Sequence, residues 1–216
     1  MGSAPKLVQA ILISLMKYVI STYNQDTDWV KEYTDDYVIY DRSDQRPPAE
    51  GAIVVPNIGS DLYDKFTFII DNYDNLPDVA VYTKANLFKY ITKEEFEKVK
   101  DNKTFTPLLT QNHETYSDEY GIVNYYQDGL YYERNNDWYL SQFPPMKTDL
   151  LRLKLFLQTA DLAYVPFAPG SNYILPKEHI LKHPKETYED LRWLLNYDVY
   201  PAEAQVIERG LYNLWK

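Results

Sequence analysis

The chain has 216 residues, is 45% hydrophobic and carries a formal net charge of −10. That length buries one good core, so a single domain is expected, and the acidic balance argues against a nucleic-acid polymer as partner, because phosphate neutralisation needs clustered Lys and Arg. With no Cys, disulfides, thiolate metal sites and thiol nucleophiles are excluded, and a reducing, cytoplasmic compartment is the mild implication.

Taken in order, residues 7–16 (LVQAILISLM) are the one segment with the look of a targeting signal, but they are too short for a membrane span and lack a small-residue cleavage site. Lys6 stands where myristoylation of Gly2 would want Ser or Thr. Residues 1–16 therefore read as a leader helix or an expression-derived extension, with Met16 an alternative start; neither export nor a membrane span is expected. Residues 18–22 (YVIST) read as the first strand, Thr27 and Asp28 cap a short helix with Trp29 and Val30, and 37–40 (YVIY) form the second strand ahead of the charged loop DRSDQRPPAEG. A third strand covers 53–55.

The stretch 57–86 is the centre of the pattern. Leu62, Phe66, Ile69, Ile70 and Tyr73 recur at three- and four-residue steps, one face of an amphipathic helix. Pro77 then disfavours helical geometry at Leu76, and 79–82 (VAVY) read as a strand buried on both faces. Strands alternating with helices over the first ~90 residues indicate βαβ units and a central mixed, mostly parallel sheet flanked by helices. Such a sheet presents its ligand crevice at the strand ends, here at Thr83, Lys84 and Asn86.

Thr92-Lys93-Glu94-Glu95 is a capping-box pattern that starts a helix ending near Lys100. From 107 to 145, short Tyr-rich pieces broken by Asp-Gly and Asn-Asn-Asp announce hairpins and long loops, an insertion that shapes a pocket beside the sheet. The chain holds 22 Tyr against 8 Phe and 4 Trp, and a flat ring with a polar tip suits sugar rings and nucleobases as well as half-wet sheet edges. Helix returns over 148–162, strand over 173–175, a short helix after Pro176 and another over 188–195. Pro201 opens the last helix, 202–215.

No dinucleotide fingerprint, P-loop or nucleophile elbow is present. Of the three His, His179 and His183 have helical spacing but lack the Glu of a zinc protease, and they read as part of a surface helix. The strand ends bring together Thr22, Tyr23 and Asp26; Asp41 and Arg42; Asn57 and Gly59; and Lys84 and Asn86. That set suits a nucleotide diphosphate, with Tyr against the base, Asp on uracil or ribose, and Arg42 and Lys84 at the phosphates. The plainer alternative is ordinary strand-end polarity, with Asp41–Arg42 a surface ion pair. In the last helix, Glu203 shares the inward face with Ile207, Leu211 and Leu214 yet lies in the first turn, where the helix dipole keeps a carboxylate ionised and available as a base. Glu208-Arg209 reads as a structural pair, and the Asn102-Lys103-Thr104 sequon as chance.

Five stretches in this order, YNQDTDW, NIGSD, DNYDNLPDVAVY, PGSNYILPKEHIL and AEAQVIERGLYNLW, resemble small nucleotide-sugar glycosyltransferase domains, among them the N-terminal domain of a chlorovirus capsid-glycan biosynthesis protein. The resemblance covers nearly all of the chain from Tyr18. It implies a GT-A fold, a UDP-sugar donor, a divalent cation (usually Mn2+), and transfer of a hexose or deoxyhexose such as rhamnose to a glycan acceptor on a viral capsid protein. Host cytosol and further domains of a larger protein go with it. Gly170, Ser171 and Asn172 would border the donor sugar, the Tyr-rich block would stack the acceptor, and Glu203 would deprotonate its hydroxyl.

One departure stands out. The family's Asp-x-Asp pair, which helps a metal bridge the diphosphate, is replaced by Thr83-Lys84-Ala85-Asn86. Asn86 can offer the metal one carbonyl oxygen, and Lys84 can take over some charge neutralisation. Metal binding is then either weak and mostly through the diphosphate itself or uses acids of another loop such as Asp41 or Asp44, while Asp74 and Asp78 belong at the far end of the strand. A non-catalytic glycan-binding module is the alternative to the transferase. A glycoside hydrolase pairing Glu203 with Asp26 or Asp41 ranks below both.

Overall fold

The computed structural model describes residues 15–110 and 114–216. The expected leader over 1–16 falls, up to residue 14, outside the described residues, as does His113. In chain order the strands are β1 (Met16–Thr22), β2 (Tyr37–Asp41), β3 (Ile53–Val54), β4 (Val79–Lys84), β5 (Thr106–Pro107), β6 (Tyr116–Asp118), β7 (Gly121–Gln127), β8 (Leu130–Arg134), β9 (Tyr164–Phe167) and β10 (Tyr173–Pro176). The helices are α1 (Ser60–Asp71), α2 (Lys93–Val99), α3 (Leu150–Phe156), α4 (Lys177–Ile180), α5 (Lys185–Leu195) and α6 (Ala202–Trp215). No helix among the described residues is long and apolar enough to cross a membrane.

The main sheet has the order β3-β2-β1-β4-β10-β5. Its first four strands are mutually parallel, while β10 runs antiparallel to both β4 and β5. The sheet is thus mixed and mostly parallel, as expected, with the reversal falling between β4 and β10. Successive side chains of a strand point to opposite faces, and the two faces here are both covered. Val19, Ala80 and Tyr82 join the cluster built with α1, α5 and α6, while Tyr18, Ile20, Val79 and Val81 pack with Val30, Leu87, Ile91 and Phe96 on the other face. This double burial explains why β1 and β4 read as continuous apolar runs. Trp215 closes α6 by stacking on Tyr82, ring centroids 6.1 Å apart.

The Tyr-rich block forms a second, antiparallel sheet, β6-β7-β8-β9. Tyr125 and Tyr132 face each other across β7 and β8 with centroids 4.9 Å apart. Its fourth strand, β9, was not expected, because Pro166 interrupts it, as only an edge strand tolerates. The helix read over 148–162 is also shorter than expected: α3 stops at Phe156 and Gln158 takes φ +56°, turning the chain out of helix. The block is therefore not a loose insertion: β9 joins it to β10 through residues 168–172.

α1 is aimed by its entrance. Gly59 (φ +68°) and Ser60 (φ +58°) are consecutive left-handed residues, and their amides donate to Asp198 O and Val199 O at 2.8 and 3.0 Å. A Cβ on Gly59 would lie 2.9 Å from the Cβ atoms of Leu195 and Tyr63. Gly59→Ala therefore meets both backbone strain and a clash, and is expected to cost about 2 kcal/mol or more. In thermal unfolding this appears as a Tm lower by roughly 4–8 °C; an unchanged Tm would contradict the account.

Candidate functional site

The C-terminal ends of β1, β2 and β4 and the N-terminus of α1 enclose a cleft of about 180 Å3. Ser21, Thr22, Tyr23 and Gln25 come from β1 and the turn after it, Arg42 follows β2, and Asn57, Ser60 and Asp61 lead into α1. Lys84 ends β4, Asn86 and Tyr90 follow it, and Tyr200 closes the rim from the segment before α6. This is where an open α/β sheet presents a ligand site.

Beneath the cleft lies a charge cluster. Asp61, 8% exposed, receives Lys65 and Ser171 Oγ on Oδ2, and Lys84 at 3.1 Å and Ser60 Oγ at 2.8 Å on Oδ1. Lys65 is fully buried, whereas the Lys84 side chain keeps 26% of its surface exposed. Beside them Arg42 Nη2 lies 2.6 Å from Asp64 Oδ1, and Arg42 Nη1 donates to Ile58 O at 3.1 Å. Burial pushes the Asp61 carboxyl up, but Lys65 and Lys84 outweigh it and hold the group well below the usual carboxylate range. Burial likewise works against the charge on Lys84, yet Asp61, then Glu208 and Tyr90, hold it above its ordinary value and charged. For Asp64 burial wins: Arg42 offsets only part of it, and the carboxyl is raised to about 6.

Six residues expected from strand ends line this cleft: Thr22, Tyr23, Arg42, Asn57, Lys84 and Asn86. Gly59 is the cap of α1. Gly170, Ser171 and Asn172 form the support behind the cleft. Ser171 holds Asp61, Asn172 Oδ1 accepts from Lys84 N at 2.9 Å, and a Cβ on Gly170 would come 2.7 Å from Tyr90 Cζ. Asp41 is buried, accepting from the amides of Ser43 and Ala49 at 2.8 Å each and pairing with Arg46 at 3.2 Å. Burial opposes its charge, but those amides and Arg46 hold its carboxyl below the ordinary range. Asp26 caps the short helix through Asp28 N at 2.9 Å, and Asp44 is tied to Tyr23 and Asn24 at 3.2 and 2.8 Å. These three acids organise loops; none lines the cleft.

Glu203 is placed elsewhere. It is fully buried, Oε1 accepting from Lys147 N at 2.6 Å and Thr148 N at 3.1 Å and Oε2 from the Tyr197 hydroxyl. Its inward direction was legible, but both oxygens staple the segment before α3 to α6, and the fully buried carboxylate does not line the cleft. Arg209 pairs with Glu133 at 2.7 Å and not with Glu208, whose Oε1 accepts from Gly170 N at 2.6 Å. His183 bonds Leu214 O at 2.8 Å and His179 meets Trp215 O, so both tie down the end of α6.

Ser21, Gln25, Ser60, Asp61, Tyr90 and Tyr200 were missed. In the sequence, Asp61 and Lys65 look like an ordinary solvent-exposed i,i+4 pair; only the approach of α1 to the sheet buries them.

The donor set does not fit a divalent cation held by the protein. Asp61 is the one carboxylate lining the cleft, and its oxygens are taken by two ammonium groups and two hydroxyls. Asn86 adds one oxygen, buried and without a partner among the described residues. No group of three or more His, Asp or Glu able to hold a metal occurs among the described residues.

A second groove of about 320 Å3 adjoins the first and shares Tyr90 with it. Its other walls include Lys89, Leu109, Glu114, Asn124, Tyr131 and Pro169.

Glu203→Ala leaves two amides and a hydroxyl without their acceptor and is expected to cost roughly 2–4 kcal/mol, read as a lower urea midpoint; an unchanged midpoint would rule out the staple. Asp64 has a pH signature. Its carboxyl rises from 3.8 to about 6 on folding, so its contribution to stability is fully present below about pH 4 and is lost as the pH climbs through about 6. Unfolding free energies measured from about pH 4 to about pH 7 should therefore fall more steeply in the parent than in Asp64→Asn, and parallel profiles would refute this.

No curated protein and no solved structure matches this chain. A family model described as a protein of unknown function (DUF3431) matches residues 18–125, from β1 into β7, and includes most of the cleft-lining residues. That match spans half of the chain, which thus belongs to the DUF3431 family.

Proposed function

We propose that the protein is a glycosyltransferase that moves a hexose or deoxyhexose from a UDP-sugar to a glycan acceptor. The observation that carries this reading is the convergence, at the ends of the parallel strands, of aromatic rings, amides and hydroxyls with a charged, partly exposed Lys84. Tyr23 and Tyr200 offer faces for the uracil. Asn57 and Asn86 offer amides for the ribose. Lys84 and the α1 N-terminus face the diphosphate.

The adjoining groove supports the acceptor half of the reading. Two aromatic walls, Tyr90 and Tyr131, with Asn124, Lys89 and Glu114 between them are the lining that a sugar ring requires. Tyr90 is common to both spaces, so the transferred sugar would sit beside it. In the transfer, an acceptor hydroxyl oxygen bonds to the anomeric carbon as the bond to the diphosphate breaks and its electron pair leaves with UDP. Lys84 stabilises the charge that develops there. Glu208 lines neither groove itself, but it accepts from Gly170 N at 2.6 Å where that residue backs the Tyr90 ring, and it is the carboxylate we assign to take the hydroxyl proton in place of Glu203. The sequence resemblance supplies rhamnose and a capsid glycan as the candidate sugar and acceptor.

Glu208→Gln is the sharpest test, because the amide oxygen still accepts from Gly170 N and keeps the loop in place. Titration calorimetry should show UDP binding unchanged in the variant, while transfer from a UDP-sugar falls by about 10²–10⁴. Undiminished transfer removes Glu208 from the mechanism. Absence of UDP binding by the parent, together with glycan affinity that needs no nucleotide, would turn the reading to a glycan-binding module.

A further inference from the structure

We propose that this cleft holds the diphosphate of its nucleotide without a divalent cation, the ammonium of Lys84 standing where a metal would otherwise bridge the two phosphates. The inference rests on the donor reading above and concerns how that donor is held.

Three observations carry it. First, the last residue of β4 is a cation rather than a ligand for one, and a divalent ion beside Lys84 Nζ would be repelled by it. Second, Asp61 is not available as a metal ligand. Its contacts with Lys65, Lys84, Ser60 and Ser171 use both oxygens, and the pairing with Lys84 at 3.1 Å makes Asp61 the group that aims the ammonium. Third, Lys84 is fixed at both ends: its amide donates to Asn172 Oδ1 at 2.9 Å, and its Nζ lies 5.9 Å from the centroid of the Tyr90 ring. A cation placed that firmly is preorganised for an anion, as a metal is.

The charge balance agrees. Arg42, Lys65 and Lys84 stand against Asp61, Asp64 and Glu208, three positive and three negative groups, so the cluster lacks the negative excess of a chain whose overall charge is −10. The α1 N-terminus, where Ser60 and Asp61 reach the cleft, adds its partial positive charge on the same side. The partnerless Asn86 oxygen is left to accept a hydroxyl, as a ribose provides.

The test is calorimetric titration of the full chain with UDP, once in EDTA and once in Mn2+, with uridine as the phosphate-free control. The expected result is a Kd that agrees within about threefold between the two conditions, and a Kd raised about tenfold or more by Lys84→Gln, with Lys84→Arg recovering much of the loss. Uridine affinity unchanged in Lys84→Gln shows that the variant is folded and that the lost contact is to phosphate. UDP binding that appears only with Mn2+ overturns the inference and leaves the donor reading standing. UDP binding in neither condition overturns both.

Discussion

The structure depends on the carboxylate of Asp61. It sits in the first turn of α1, yet it is held by Lys65 from the same helix, by Lys84 from the end of β4 and by Ser171 from the segment between β9 and β10. Three pieces of chain far apart in sequence therefore meet on one side chain. Burying such a group is costly: an ion pair out of water recovers its desolvation only with close geometry and further hydrogen bonds. Here those conditions are met by two ammonium groups and two hydroxyls. The cluster contributes a unique geometry more than net stability, and geometry is what a binding cleft needs.

The neighbouring pair has the opposite balance. Arg42 and Asp64 are as deeply buried, but Asp64 has a single cationic partner and its carboxyl rises, while Asp61 with two falls. Burial pushes both up; at Asp61 the close ammonium groups of Lys65 and Lys84 outweigh it, while at Asp64 Arg42 offsets only part and the neighbouring Asp61 charge adds to the rise. One helix face thus presents two carboxylates three residues apart with different tasks: Asp61 aims Lys84, and Asp64 holds Arg42 against the loop at Ile58.

Much of this could be read from the chain. The apolar faces of β1, β4, α1 and α6 follow from periodicity, and the polar residues at their ends mark the cleft before any coordinates are at hand. What could not be read depends on approach. Asp61 and Lys65 have the spacing of a surface pair, and only α1 closing on the sheet makes them buried. Glu203 illustrates the converse. Its face and turn indicated a buried carboxylate at a helix start, which it is, but the amides of Lys147 and Thr148 that occupy it lie 56 and 55 residues away in the chain. β9 escaped for a local reason, the proline at 166 inside an edge strand, while the left-handed turn at Gln158, a residue with no glycine-like signature, cuts α3 short of the helical pattern before it.

That strand matters beyond its own sheet. β9 pairs with β8 of the Tyr-rich sheet, and five residues later the chain is in β10, paired with β4. Between them Gly170 backs the Tyr90 ring and donates to Glu208, Ser171 holds Asp61, and Asn172 fixes the backbone of Lys84. Each group that shapes the junction of the two grooves is thus touched by one connector of 168–172. The two sheets are joined by a short connector, buried except at Pro169, whose last three residues support both grooves.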